Sequence, residues 1–310
     1  MAGSSQTAAA GAGGSAMAPA YLALAAAALF WGGNWVLARW IQNQFPPQTL
    51  SLLRWGSAAL FLAPFAIGPT LRVWGEVRRE WKRLAILGAI GVTGFSSLSY
   101  TGLSFTTSIN GSLLNTAAPV FILILAALGF GERISMAEVA GIAVSIVGVL
   151  VIIARGSLAT MAAMEVNAGD AIVMVAVLLW AVYTVLLRVW RIQLPPMVFL
   201  FTTIVLSLPL PIATAALEYA LGAPAPAPDA VGLIAIVYLG LFPSIGAYAC
   251  WNYGVRRAGA ARATLFQYLI PVFAAVLAVA LLGEQVRLYH VAGAALIVGG
   301  LLLATRAKAR

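Results

Sequence analysis

Charged residues are scarce in this 310-residue chain, since they make up 9% of it while 62% is hydrophobic. Because a soluble domain carries about 25% charged residues, this chain cannot cover a water-facing surface and is predicted to be an integral membrane protein. Cys250 is the only cysteine and His290 the only histidine. Their scarcity excludes an intramolecular disulfide, a thiolate metal cluster and a histidine-based metal site or triad. We therefore expect neither a metal nor a cofactor.

Carboxylates in the middle of apolar segments and enzyme motifs are missing as well. None of the nine Asp and Glu residues lies in the middle of a predicted membrane span. Since proton-driven transporters usually place a carboxylate or histidine there, proton-driven export of cationic drugs is disfavoured. The motifs HExxH, GxxxxGK[ST] and GxSxG are absent, which disfavours an enzyme. No basic run is interleaved with exposed aromatics, so the net charge of +9 does not indicate a nucleic-acid partner.

The apolar residues predict an all-α membrane protein with ten transmembrane helices. A span needs about 20 apolar residues. Residues 1–19 are rich in Ala, Gly and Ser and are expected to be a flexible cytoplasmic tail, and residues 306–310 a basic cytoplasmic tail. The ten predicted spans are 19–40, 48–68, 84–103, 106–129, 136–154, 170–190, 196–218, 230–255, 260–282 and 287–305.

Lysine and arginine predict the orientation of these spans. With the N-terminus inside, fourteen of them fall in cytoplasmic segments, three on the opposite side, and Arg54 lies within the second span. Cytoplasmic loops collect such residues. We therefore expect both termini of the protein to lie in the cytoplasm.

The chain repeats itself. Trp31 recurs as Trp180 149 positions later, and Pro119 and Gly131-Glu132 recur as Pro271 and Gly283-Glu284 152 positions later. These recurrences predict two five-helix repeats, 20–154 and 170–305. Because five is odd, the second repeat must be inverted relative to the first, an arrangement typical of transporters with a site between their halves.

Polar residues within the spans predict a central substrate cavity, since such side chains face the bundle interior. Residues 108, 112, 115 and 119 share one face of the fourth span, and residues 260, 264, 267 and 271 repeat their spacing in the ninth. Pro119 and Pro271 are candidate hinges or gates because proline removes a helical hydrogen bond, although a simple packing role fits them as well. The predicted substrate-binding residues are Trp31, Asn34, Ser96, Tyr100, Ser112, Asn115, Trp180, Tyr183, Tyr248, Trp251, Asn252, Thr264, Gln267 and Tyr268.

Several residues can be interpreted in more than one way. Arg54 either snorkels to the membrane surface or anchors a loop or a substrate carboxylate. Glu132 and Glu284 are interpreted as caps or gates, with ion coupling as the alternative. Trp40, Trp74, Trp81 and Trp190 are predicted to be interfacial belt residues. Small residues in the fifth and tenth spans predict close packing, either within a scaffold or in a homodimer.

These residues together resemble the drug/metabolite transporter superfamily of the EamA type. The resemblance covers about residues 20–305 and includes Trp31-Gly32-Gly33-Asn34, Arg54 and the duplicated run from Asn115 through Pro119 to Gly131-Glu132. Within the superfamily, the chain is similar to bacterial YddG-type exporters of aromatic and other amino acids. The resemblance implies a basket-like bundle around a central cavity and export across the inner membrane.

Aromatic, amide and hydroxyl groups with little fixed charge suit a small neutral or zwitterionic solute. We therefore predict a facilitative exporter of amino acids, aromatic or neutral, that works by alternating access in the lipid bilayer. An exporter of nucleosides or other small neutral metabolites is the first alternative. A non-transport membrane scaffold or lipid-handling protein is the second.

Overall fold

The computed structural model describes residues 4–130, 136–157, 167–258 and 266–307, and the regular structure within them is helical. Two π-helical segments, Gly88–Gly94 and Phe242–Gly246, each join two consecutive α-helices. The helices are α1 (Ser4–Trp40), α2 (Pro47–Arg72), α3 (Trp74–Leu87), α4 (Phe95–Leu103), α5 (Ser108–Asn115), α6 (Ala118–Phe130), α7 (Met136–Ile153), α8 (Ala168–Trp190), α9 (Pro196–Ser207), α10 (Pro209–Ala220), α11 (Ala230–Leu241), α12 (Ala247–Ala258), α13 (Leu269–Leu282) and α14 (Leu288–Ala307).

Six helical stretches of the described residues are long and apolar enough to cross a membrane, and α13 and parts of α7 and α14 form shorter apolar helices. Large apolar side chains point outward along these stretches; Leu22, Leu60 and Ile234, for example, are more than two thirds exposed. Such a surface is stable against lipid and not against water. The predicted class, an all-helical protein that crosses the membrane several times, is confirmed. The six stretches are Met17–Trp40, Pro47–Arg72, Trp74–Leu103, Ala168–Leu187, Pro196–Ala220 and Ala230–Gly254.

Two helices begin earlier than the sequence predicts. Helix α1 begins at Ser4 and includes residues 4–19, for which a flexible tail is expected; alanine, the strongest helix former, is frequent in this segment. Helix α3 begins at Trp74, ten residues before the predicted third span. Its first turns are basic and amphipathic, and their low hydropathy conceals the helix from a search for apolar runs.

The two halves of the chain interleave. Helix α1 packs against α12 and α13, α2 against α11, α4 against α8, and α7 against α14. Each of these pairs joins one helix from the first half to one or two from the second. The largest buried apolar cluster lies along these contacts and includes Trp35, Leu50, Leu114, Leu239 and Ile297. The centre of the molecule is therefore built by both halves.

Small residues bring α7 and α14 into backbone contact. A side chain at Gly300 would meet the carbonyl oxygen of Gly141 at 2.4 Å, and one at Gly148 would meet that of Gly293 at 2.7 Å. Ser145 Oγ donates a hydrogen bond of 3.1 Å to the carbonyl of Ile297. The small-residue faces predicted to pack closely therefore pack against each other within one chain.

Candidate functional site

A cavity of about 90 Å³ lies at the centre of the bundle. Its walls come from both halves, and no acidic side chain is among the described residues that line it. Seven of the sixteen lining residues are aromatic, and amide and hydroxyl groups and one guanidinium lie among them. The lining residues are Trp31, Asn34, Trp35, Arg54, Trp55, Gly91, Phe95, Asn115, Thr116, Ala118, Pro119, Trp180, Tyr248, Gln267, Tyr268 and Ile270.

The cavity lies where a helix is interrupted by proline. Helix α5 ends at Asn115, and α6 begins at Ala118 with Pro119 in its first turn. Since Pro119 has no N–H, it cannot donate to the carbonyl of Asn115, and the helical hydrogen bonds stop there. A turn through Thr116 and Ala117 replaces them. Asn115, Thr116 and Pro119 all reach the cavity from this interruption.

Three further irregular segments meet the same space. Tyr268 is a turn residue that precedes α13, and it lines the cavity together with Gln267. Both π-helical segments also reach the site. Gly91 of the first contributes to the lining, and the carbonyl of Pro243 in the second accepts a 3.2 Å hydrogen bond from Trp31 Nε1. Single-turn π segments within α-helices are frequent at functional sites.

Arg54 holds a buried positive charge at the cavity wall. The side chain is 5% exposed, its Nε donates to Ser244 Oγ at 2.8 Å, and its Nη1 donates to Tyr100 Oη at 2.9 Å. The guanidinium carbon lies 4.5 Å from the ring centroid of Trp55. Among the described residues no carboxylate pairs with Arg54, and its Nη2 donates no hydrogen bond. This burial excludes the interpretation that Arg54 snorkels to the membrane surface.

Hydroxyl groups of α4 fix the position of Arg54. Ser96 Oγ accepts from Trp55 Nε1 at 2.9 Å and lies 3.5 Å from Arg54 Nη1. Tyr100 Oη accepts from Arg54 and donates to Asn34 Oδ1 at 2.8 Å. A chain of neutral hydrogen bonds thus supports a charge that no acidic group of the described residues balances, which is a costly arrangement in a low-dielectric interior.

Two groups of aromatic rings contribute to the lining and support it. Trp31 packs edge-on against Tyr248, with ring centroids 5.9 Å apart, and against Trp251 at 5.6 Å. Trp180 packs against Phe95 at 5.4 Å and against Tyr183 at 5.1 Å. Trp31 and Trp180 are the two copies of one repeated position. Aromatic faces of this kind bind both apolar groups and cations.

Asn115 presents an unsatisfied acceptor. Its Oδ1 is buried and has no hydrogen-bond partner in the described structure. Buried polar atoms are nearly always hydrogen-bonded, so an exception in a cavity wall marks a position at which a ligand can donate a hydrogen bond.

The predicted substrate-binding residues fall into three groups. Trp31, Asn34, Asn115, Trp180, Tyr248, Gln267 and Tyr268 line the cavity, as do Arg54 and the predicted hinge Pro119. A second group does not reach the lining, and Thr264 lies outside the described residues. In that second group, Ser96 and Tyr100 hold Arg54, while Trp251 and Tyr183 pack against Trp31 and Trp180. Ser112 donates a hydrogen bond to the carbonyl of Ile109 in its own helix, and Asn252 is half-buried. The second predicted hinge, Pro271, does not line the cavity either and is buried in α13.

Several lining residues are not among the sequence predictions, namely Trp35, Trp55, Gly91, Phe95, Thr116, Ala118 and Ile270. Most of them adjoin a predicted residue in the sequence, such as Trp55 beside Arg54 and Thr116 beside Asn115. The adjacent aromatic-polar pairs are the only signal in the sequence that could have identified them.

One end of the bundle is closed by carboxylates of the second half, and we call it the capped end. Glu218 Oε1 and Oε2 accept hydrogen bonds of 3.1 Å from the backbone N–H groups of Gln48 and Thr49 at the start of α2. Glu284 accepts in the same way from Ser108 at 2.9 Å and Ile109 at 3.1 Å, at the start of α5. Each carboxylate thus satisfies two N–H groups at a helix N-terminus, where negative charge is stabilised.

The helix-terminal roles predicted for the repeated Gly-Glu pair are visible at its second copy. Gly283 ends α13 with φ of 66°, the left-handed conformation that favours glycine. Glu284 then caps α5. Gly131 and Glu132, the first copy, lie outside the described residues.

A buried polar network lies beside Glu284 at the capped end. Asp170 Oδ1 accepts from Thr106 Oγ1 at 2.5 Å and from Asn110 Nδ2 at 3.4 Å. Asn110 Oδ1 lies 2.9 Å from His290 Nε2, and His290 Nδ1 accepts from the backbone of Arg287 at 2.9 Å. Because Nδ1 is an acceptor, Nε2 carries the proton and donates to Asn110.

Comparison with known proteins connects this geometry to a family. The sequence profile of the EamA-like transporter family matches residues 18–154 and, a second time, residues 167–306. An uncharacterised transporter of Bacillus subtilis, YyaM, is 28% identical over 92% of this chain and 93% of its own length. A solved crystal structure has a TM-score of 0.62 at 24% identity, covers 96% of this chain and 99% of its own, and supports the fold alone.

Two further relatives carry names that state a substrate. A protein of Streptantibioticus cattleyicolor, named as a probable terminal-alkyne amino-acid exporter, is 33% identical over 83% of this chain and 83% of its own length. A protein of Salmonella typhimurium, named as a probable amino-acid metabolite efflux pump, is 26% identical over 88% of this chain and 90% of its own length.

Proposed function

This chain belongs to the EamA-like transporter family, and on that premise we propose that it exports amino acids, aromatic and neutral ones first, through the central cavity by alternating access. The family and the named relatives are transporters, and this chain is likewise a membrane transporter and not an enzyme. Amino acids are favoured over nucleosides and other neutral metabolites by the charge of the cavity wall.

The observation that carries this proposal is a pair of complementary unsatisfied groups in one cavity. Arg54 offers a guanidinium without an acidic partner in the described chain, and Asn115 Oδ1 offers a buried acceptor without a donor. Guanidinium binds carboxylates strongly, and an amide oxygen accepts from an ammonium group. An α-amino acid brings both of these groups, whereas a nucleoside brings neither charge.

The aromatic walls suit the rest of such a substrate. Rings at Trp31, Trp180 and Tyr248 offer apolar faces for a side chain and can also hold an ammonium group. The names of the two relatives described as amino-acid exporters support the same substrate class.

We further propose the topology that the sequence predicts, with ten membrane helices, inverted repeats at 20–154 and 170–305, and both termini in the cytoplasm of a bacterium. The two matches of one family profile and the interleaved helices support it. In this orientation the capped end, with Glu218 and Glu284, faces outward. The basic residues of α3 then lie at the cytoplasmic surface.

The size of the cavity supports a transport cycle with a change of shape. Ligand pockets usually measure about 300–1,000 Å³, and the cavity of about 90 Å³ is smaller. A bulky amino acid therefore requires the walls to separate. The interrupted helices at Asn115 and Tyr268 are the positions where a wall can move with the fewest broken hydrogen bonds.

The test is uptake of labelled amino acids into proteoliposomes, compared with the matching amino-acid amides, which lack the carboxylate. Wild-type protein should prefer the acid over its amide by at least about tenfold, because a hydrogen bond to a charged group is worth about 1.5–3 kcal/mol. Arg54→Gln should abolish that preference, whereas Arg83→Gln, which removes an exposed arginine paired with Glu80, should retain it.

Three outcomes would contradict the proposal. Equal uptake of acid and amide by the wild type would show that Arg54 does not bind the substrate carboxylate. Flux of nucleosides, with competition by nucleosides and not by amino acids, would select the alternative substrate class. An absence of flux for every member of a broad panel would reject export of amino acids.

A further inference from the structure

A groove separate from the central cavity lies between α3 and α9, with a volume of about 470 Å³. The residues that α3 contributes follow the spacing of one helix face, and α2 closes the groove with Thr70 at its end. The groove is lined by Thr70, Trp74, Val77, Arg78, Trp81, Phe201, Thr202, Val205 and Leu206.

The charge of α3 is concentrated around this groove. Arg78 lines it, and Arg79, Lys82 and Arg83 are exposed on the same helix. Two glutamates oppose these four basic residues, and one of them, Glu80, is paired with Arg83 at 3.0 Å. In the described chain Arg78 makes no hydrogen bond and no ion pair. A free guanidinium therefore projects at the groove and is available for an anion.

A second polar group faces the same space without a partner. Thr70 is 6% exposed, and its Oγ1 is buried with no hydrogen-bond partner among the described residues. A threonine within a helix ordinarily donates to a carbonyl of the preceding turn, as Thr202 does to Val198 at 2.7 Å. The hydroxyl of Thr70 is thus available to a ligand at the end of the groove, near Arg78.

The remaining walls are mostly apolar and partly exposed. Trp74 is 54% exposed and Trp81 49% exposed, and Val205 on α9 is also exposed. Tryptophan side chains settle at the level of lipid headgroups. A soluble anion gains nothing from such walls, whereas a lipid brings an acyl chain to cover them.

We propose that this groove binds one anionic phospholipid of the cytoplasmic leaflet. Arg78 pairs with the phosphate, Thr70 donates a hydrogen bond to a headgroup oxygen, and an acyl chain lies along Phe201 and Val205. A basic helix immediately cytoplasmic of a membrane span is a typical attachment point for anionic lipid. The site is independent of the transported substrate, because it shares no lining residue with the central cavity.

Native mass spectrometry of the full chain, released from detergent micelles with added phosphatidylglycerol, phosphatidylcholine or inorganic phosphate, tests this site. Wild-type protein should retain one phosphatidylglycerol. Arg78→Gln should weaken its retention by about tenfold, as expected for the loss of one charge-assisted hydrogen bond, and Thr70→Val by a smaller factor. Arg79→Gln, the same change of charge one position along the helix and outside the groove, should retain the lipid.

Each other result overturns the proposal. Equal loss in Arg78→Gln and Arg79→Gln would show only a general attraction to basic residues. Equal retention of phosphatidylcholine would show a belt of bulk lipid, and retention of inorganic phosphate in place of lipid would show a site for a soluble anion. Circular dichroism and size-exclusion profiles that match the wild type establish that each variant is folded, and unchanged lipid retention in a folded Arg78→Gln protein would also reject the site.

Discussion

At the scale of single residues, the cavity depends on the difference between tryptophans that support one another and tryptophans that face lipid. Trp31 contacts Tyr248 and Trp251 and donates a hydrogen bond to Pro243. Trp40, nine positions later on the same helix, is 42% exposed. Tryptophan therefore has two roles within α1, one in the cavity wall and one at the exposed surface, and its position along the helix determines the role.

Replacement of Trp31 by alanine should reduce amino-acid flux roughly tenfold, because aromatic pairs are worth about 0.5–1.5 kcal/mol each and two are lost. Initial rates in proteoliposomes measure this effect. Trp31→Phe should recover part of the rate, and Trp40→Ala should leave it near that of the wild type. A Trp40→Ala defect as large as that of Trp31→Ala would contradict the assignment of Trp31 to the cavity.

The hydrogen-bond partners of Arg54 could not be predicted from the sequence. Its place within an apolar span can be read from the sequence, but its partner Ser244 lies 190 positions away. Periodicity assigns a residue to a helix face and does not say which distant helix covers that face. The same limit explains why Asn34 and Gln267 could be predicted as interior residues, whereas Ser112, on the same stripe as Asn115, does not line the cavity.

At the scale of helices, the cavity combines continuous helices, such as α1, α2 and α8, with helices that are interrupted beside it at Asn115 and Tyr268. Duplicated prolines predict the interruptions at Pro119 and before Pro271, because proline has a local and known effect on a helix. The π-helical segment Gly88–Gly94 contains no proline and has no such signature, whereas Pro243 lies in the other segment but has no repeated counterpart. Helix existence and breaks at proline were therefore predictable, and the π segments were not.

The capped end should open when one of its carboxylates loses its charge. Glu284→Gln weakens two charge-assisted hydrogen bonds to α5, each worth about 1.5–3 kcal/mol. A cysteine at Ser108, which is fully buried, should then react with a membrane-impermeant maleimide about tenfold faster, in a background where Cys250 is serine.

Glu76→Gln is the matched control, because it removes an exposed glutamate from α3 at the other end of the molecule. It should leave the labelling rate of the cysteine unchanged. If Glu284→Gln and Glu76→Gln give the same rate, the carboxylate of Glu284 does not hold the capped end closed.

At the scale of the whole molecule, the acidic residues that join the two halves lie at the capped end and not at the cavity. The described acidic groups that make contacts between the halves, Asp170, Glu218 and Glu284, accept hydrogen bonds at the capped end. None of them lines the cavity. A substrate in the cavity consequently meets no carboxylate among the described lining residues.

Transport should therefore follow the substrate gradient without a proton gradient. In liposomes whose voltage is clamped with potassium and valinomycin, a protonophore should leave amino-acid flux unchanged, and an imposed pH gradient should not accumulate substrate. Flux that the protonophore abolishes under this clamp would place a proton-coupling group in the cycle, and Asp170 would be the first residue to replace.

The separation of Arg54 from Ser244 has a consequence for the assembly of the protein during synthesis. At about 5–20 residues per second, the ribosome adds the 190 residues between them in roughly 10–40 s. Ser96 and Tyr100 follow Arg54 within the first quarter of that interval, so a newly inserted first half contains these two hydroxyl groups but not that of Ser244. The nascent chain therefore carries its costliest buried group for most of its synthesis before Ser244 arrives. Quality-control proteases have their best opportunity to remove a faulty molecule during that interval.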